Sequence, residues 1–193
     1  GKRSHSVKLN AQIDDMSQDV NEDVKYLVSV HESGHALVYA VLTGVAPVQI
    51  MNSTFANKGG FMLPHRLAGS AKNAKDQIAC MMAGRAAEAH VFGQGFSGSE
   101  RDIGSATSIA AEFHRRWGMG ASASKHYSEH TEVGAMSNTD IASTNSEIDQ
   151  LLVEQTSVAS KIIKKHERLF KKLVRELNKH GRLIKDMFVK IER

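Results

Sequence analysis

The segment Val28-Ser29-Val30-His31-Glu32-Ser33-Gly34-His35-Ala36-Leu37-Val38-Tyr39-Ala40-Val41-Leu42 decides the reading of this chain. It is apolar on almost every side, which describes a helix running through the middle of a domain. It also carries two imidazoles and a carboxylate, groups that are costly to bury without a strong partner. His31 and His35 are four residues apart, one turn along the same face. Both rings can therefore reach one metal ion at about 2.0–2.1 Å. Glu32 lies about 100° around the axis from His31, flanking that ion rather than ligating it. From there it can take a proton from an attacking water and deliver it to a leaving amine.

A catalytic zinc needs a third protein ligand and one open position. No third His follows His35 at short spacing, so the ligand comes from another segment. By chemistry alone the candidates are Glu88, Asp102, Glu112, His65, His90 and His114.

Outward from this helix the pattern is mainly α. Asn21 reads as an N-cap, with Glu22 and Asp23 in the first turn, and Gly44 followed by Pro47 reads as the stop. Residues 1–20 are polar with little periodicity and read as a linker or the end of a missing upstream domain. Residues 45–64 give two short strands around a polar turn, the one convincing β region. Helices are expected at about 71–92, 100–117, 139–166, 167–179 and 182–192, with Gly93, Gly118 and Gly181 as breaks. The Gly-, Ser- and His-rich stretch 119–138, with His126 and His130, reads as a mobile loop. The expected organisation is a metal-binding core over 21–118, that loop, and C-terminal helices over 139–193.

The 193 residues are 41% hydrophobic and 24% charged, enough to bury a core without disulfides. Cys80 is the single cysteine, which favours a reducing compartment, cytoplasmic or organellar. No apolar run approaches the roughly 18 residues needed to span a bilayer. The net charge of +4 is uneven, since residues 161–193 hold twelve Lys/Arg against four Asp/Glu. Without interleaved aromatics that tail reads as a solvated helix face, so nucleic acid is not an expected partner.

Several further motifs give the chain a resemblance. His31 to Leu37, Gly59-Gly60-Phe61-Met62-Leu63-Pro64, Ala83-Gly84-Arg85-Ala86-Ala87-Glu88 and Val91-Phe92-Gly93 come first. Ser97-Gly98-Ser99-Glu100-Arg101-Asp102-Ile103, Ala106-Thr107 and Trp117-Gly118-Met119 follow in order. Over about residues 22–190 the chain resembles the peptidase domain of the FtsH family, membrane-anchored AAA+ zinc proteases. The resemblance implies a zincin-like, mainly α peptidase domain with a small β-hairpin or edge strand and a C-terminal helical bundle. It implies one Zn2+ per chain held by His31, His35 and Asp102, with Glu32 as catalytic base and Glu88 orienting a ligand from behind. It also implies that the strand around Gly59, Gly60, Phe61 and Met62 grips unfolded or flexible protein substrates as an added strand. A homo-hexamer is implied, driven by an AAA+ unfoldase in cis or in trans.

The chain departs from the family pattern at Ala89, where a second glutamate is usual, and at Arg101, where asparagine is usual. It also lacks the usual Leu-Gly-Pro after Trp117-Gly118-Met119. It holds no G-x-x-x-x-G-K-[S/T] phosphate loop. The expectation is therefore a module that works with a separate or missing ATPase, and meets a membrane only through segments outside this sequence. The rival expectation is a non-catalytic, peptidase-like assembly module.

Overall fold

A computed structural model describes residues 2–52, 60–62, 69–121 and 138–192. Its helices are α1 (Lys2–Thr43), α2 (Ala71–Phe92), α3 (Glu100–Arg115), α4 (Asn138–Lys165), α5 (Glu167–His180) and α6 (Lys185–Glu192). Its strands are β1 (Gln49–Met51), β2 (Gly60–Met62) and β3 (Arg182–Ile184). The fold is mainly α with a small antiparallel sheet, as the periodicity predicts.

The helix ends follow local chemistry. Ser70 caps α2 by accepting from the Asn73 amide at 3.1 Å. Gly93 closes it at φ 73°, its N–H bonding back to Ala89. Gly181 closes α5 in the same left-handed conformation, at φ 72°. A side chain would be strained at either position.

Two expectations are corrected. The first helix starts at Lys2 rather than Glu22, so Asn21 lies inside α1 and is no N-cap. Residues 2–20 contain neither Gly nor Pro, and a helix already nucleated by a packed segment propagates through such a stretch at little cost. The second correction concerns the last helix, which starts at Lys185 because Arg182–Ile184 pairs with β1. A three-residue run is too short for its period to declare a strand. What captures it is the partner: Ile50 faces Leu183, and both are buried. Asn52 adds a lock, its side-chain amide donating to Ser29 Oγ at 2.7 Å and to the Leu177 carbonyl at 3.3 Å.

The sheet order is β2-β1-β3, which leaves β2 at one edge and places it alongside α1. Of the residues 119–138 expected to form a loop, 122–137 lie outside the described residues, as do Gly59 and His65. The helix α4 begins at Asn138.

Two apolar clusters meet on α2. Val30, Leu37, Tyr39, Ile163, Phe170, Leu173 and Leu183 belong to one, and Ile78, Met82, Ala110, Phe113 and Leu151 to the other. Between α1 and α2 the packing is unusually close. A Cβ on Gly34 would lie 2.6 Å from the Ala83 carbonyl oxygen and 2.6 Å from the Ala87 Cβ. Glycine at 34 and alanines at 83 and 87 thus bring the two backbones nearly into contact. That approach sets His31 against α2.

Candidate metal centre

His31 and His35 project from α1 and Asp102 from the first turn of α3. Their ligating atoms converge. The His31 and His35 Nε2 atoms are 2.9 Å apart, and Asp102 Oδ2 lies 3.0 Å from the first and 3.2 Å from the second. Two ligands at zinc distance and tetrahedral angle stand roughly 3.3 Å apart. The three atoms are within a few tenths of an ångström of that spacing.

The far side of each ring fixes its chemistry. His31 Nδ1 is 2.7 Å from Glu88 Oε1, and His35 Nδ1 is 2.7 Å from the Cys80 carbonyl oxygen. Both partners only accept, so both Nδ1 atoms carry protons. The Nε2 lone pairs are thereby turned toward each other and toward a carboxylate. Three electron-pair donors facing one point need a cation, and a proton serves at most two of them. The donor set, two imidazoles and a carboxylate, suits zinc. Among the described residues, this is the His/Cys/Asp/Glu group arranged to hold a metal.

The electrostatics agree. Burial lowers the His31 pKa, but hydrogen bonds to Asp102 and Glu88, aided by the charges of Glu32 and Asp102, push it up to about 9. Burial would raise the Asp102 carboxyl, yet hydrogen bonds from both histidines hold it well below the usual carboxylate range. Glu88 is likewise held low against its burial, by His31, the Phe96 amide and Ser99. The site is thus negative and retains a proton where a metal would bind.

Glu32 is buried, 8% exposed, and is felt electrostatically by His31, His35 and Asp102. Burial pushes its carboxyl above the ordinary range, and the two histidines pull it part of the way back. A carboxylate of raised basicity beside the cluster suits proton transfer. The Asp102 side chain is 32% exposed, against 12% for His31 and 7% for His35. The cluster therefore opens to solvent on the α3 side, where a catalytic zinc needs its open position.

Of the other third-ligand candidates among the described residues, the structure brings none into the cluster. Glu88 sits behind the His31 ring, on the Nδ1 side. Glu112 pairs with Arg116 at 2.7 Å. His90 lies 3.8 Å from Glu167, and His114 lies 3.0 Å from Glu147. His65, His126 and His130 lie outside the described residues. Cys80 contributes only its carbonyl, since burial pushes its thiol up to about 12 and leaves it inert.

Sequence reasoning gave no role to Gly84. A Cβ there would lie 2.3–2.6 Å from three atoms of the His31 ring. The signal was present, because a glycine inside a helix costs about 1 kcal/mol relative to alanine and asks for a close approach in return. The ring cannot swing away without losing Glu88 or Asp102. Gly84→Ala is expected to weaken zinc binding by about tenfold or more, although alanine is the better helix former. Competition against a chromophoric chelator measures it, and wild-type affinity in the variant would refute the contact.

Among the described residues, no helix is long and apolar enough to cross a membrane. Residues 18–191 match the model of peptidase family M41. Relatives described as ATP-dependent zinc metalloprotease FtsH include one from Lactiplantibacillus plantarum, 29% identical over 85% of this chain. A second, from Protochlamydia amoebophila, is 30% identical over 76% of this chain, and a third, from Thermus thermophilus, 41% identical over 48%. The chain spans 24%, 18% and 16% of the length of these three relatives. With the match covering nearly all of its length, the chain belongs to peptidase family M41.

Proposed function

We propose that this chain is a zinc-dependent endopeptidase module that hydrolyses internal bonds of unfolded or flexible proteins. The observation that carries this is the convergence of His31 Nε2, His35 Nε2 and Asp102 Oδ2 within 2.9–3.2 Å of one another. His31, His35 and Asp102 would hold one zinc per chain. Bound zinc would supply a Lewis acid that polarises the scissile carbonyl and brings the acidity of water near neutrality. Glu32 takes the proton of the attacking water and hands it to the departing amine. Glu88 and the Cys80 carbonyl hold the two imidazoles in the tautomer that leaves Nε2 free to ligate. The strand β2, at the sheet edge beside α1 and paired on one side only among the described residues, offers its other side to an extended substrate segment, which gives grip with little sequence preference.

The relatives' name, ATP-dependent zinc metalloprotease, supports coupling to ATP hydrolysis; an AAA+ unfoldase in cis or in trans and a hexamer are what the family resemblance implies. A reducing compartment fits the single free thiol, and membrane attachment would come through other segments of a longer protein.

The test is chelation. Unfolded, fluorescently labelled casein should be cleaved by the zinc-loaded protein. Cleavage should stop after EDTA treatment and return with about one equivalent of zinc, but not with magnesium. A fully zinc-loaded protein that leaves casein intact would instead support the assembly-module reading.

A further inference from the structure

The start of α3 holds a second set of contacts that the metal reading leaves unused. Ser99 is fully buried at the N-cap of α3, and Asp102 stands three positions into the helix. A serine and an acid at this spacing ordinarily cap the helix reciprocally, each bonding the other's backbone amide. Here the serine makes no capping hydrogen bond. The Ser99 hydroxyl is turned to Glu88, 3.1 Å from Oε1 and 3.2 Å from Oε2. Asp102 is turned to the two histidines. Ser99 ends a 3-10 turn, Ser97–Ser99, that runs into α3 with right-handed helical backbone angles, and both side chains serve contacts to other elements.

Glu88 is the common node. Its Oε1 accepts from His31 Nδ1 at 2.7 Å and its Oε2 from the Phe96 amide at 2.8 Å, with the Ser99 hydroxyl shared between the two oxygens. One buried carboxylate thus touches the first histidine and both sides of the turn that leads into α3. Hydrogen bonds to a charged group are about twice as strong as neutral ones, which favours the hydroxyl's turn to Glu88.

We propose that Ser99 is a positioning residue of the metal centre. Its hydroxyl ties the start of α3, and so Asp102, to the same carboxylate that orients His31, fixing two ligands from distant segments relative to each other. This deepens the zinc reading above and rests on it.

Zinc affinity, measured by chelator competition in wild type, Ser99→Ala, Glu88→Gln and the double variant, tests it. Ser99→Ala should weaken zinc binding about tenfold in the wild-type background. It should have little further effect in the Glu88→Gln background, because the shared node is already altered. A hydroxyl that merely stabilises the helix start would weaken binding equally in both backgrounds, and that result overturns the proposal. Wild-type affinity in Ser99→Ala also overturns it and leaves the zinc reading standing. If the wild-type protein takes up no zinc, the metal reading itself fails and the proposal falls with it.

Discussion

Glu32→Gln is expected to cut casein hydrolysis by about 100- to 10,000-fold, the contribution of a positioned acid–base group, while zinc content stays near one per chain. Glutamine keeps the shape and the hydrogen-bonding oxygen of the side chain but cannot carry a proton between water and amine. The converging ligand atoms belong to His31, His35 and Asp102 and not to Glu32, so its loss should spare the metal. Its burial makes the carboxyl more basic than usual, which suits a group that must both accept and return a proton. Turnover with excess labelled casein, paired with metal analysis of the same sample, separates the two quantities. Retained turnover at full zinc would remove Glu32 from the chemistry. Zinc lost together with turnover would make it a ligand or a support.

The second large effect is expected at Asp102. Asp102→Ala should lower zinc affinity by more than the roughly 10–100-fold that loss of an outer partner costs, because the proposed function makes Asp102 a direct ligand. It also removes the carboxylate that neutralises the paired imidazoles, leaving His31 Nε2 and His35 Nε2 only 2.9 Å apart with nothing between them. The same titrations, run across pH, give a second readout. His31 holds its extra proton up to about pH 9, so zinc must displace it. Wild-type affinity should therefore fall as pH drops from 9 toward 6. In Asp102→Ala that slope should flatten, because the acceptor that most raises the His31 pKa is gone. Unchanged zinc content in the variant would point to another carboxylate. Glu88 would then have to leave the Nδ1 side of His31, breaking its bonds to Phe96 and Ser99.

The relation between α1 and α2 shows how the fold builds the centre. Gly34, between the two histidines, lets α1 approach α2 to backbone contact. Gly84, one turn from Ala87 and Glu88, leaves room for the His31 ring on that surface. A glycine inside a helix hints at a close approach, but a one-dimensional pattern does not say what approaches, because the role of these two is a distance between segments fifty residues apart. The strand β3 was hidden for a related reason. Arg182-Leu183-Ile184 has no telling period, and only the buried pairing of Leu183 with Ile50 makes it a strand.

By itself the sequence determined the helical course of the chain, through apolar spacing and the stops at Gly93 and Gly181. It also determined that His31 and His35 share a helix face, because a four-residue interval is close to one turn. Both are local properties, encoded within a few residues of where they act. Residue chemistry left the third partner of the histidines open and only the family resemblance pointed to Asp102; the tertiary structure supplies the physical reason, bringing Asp102 up from 71 positions beyond His31 and turning Glu88 to the back of the ring. Long-range choices of that kind depend on how closely helices pack, and packing is a sum over contacts that no short segment contains.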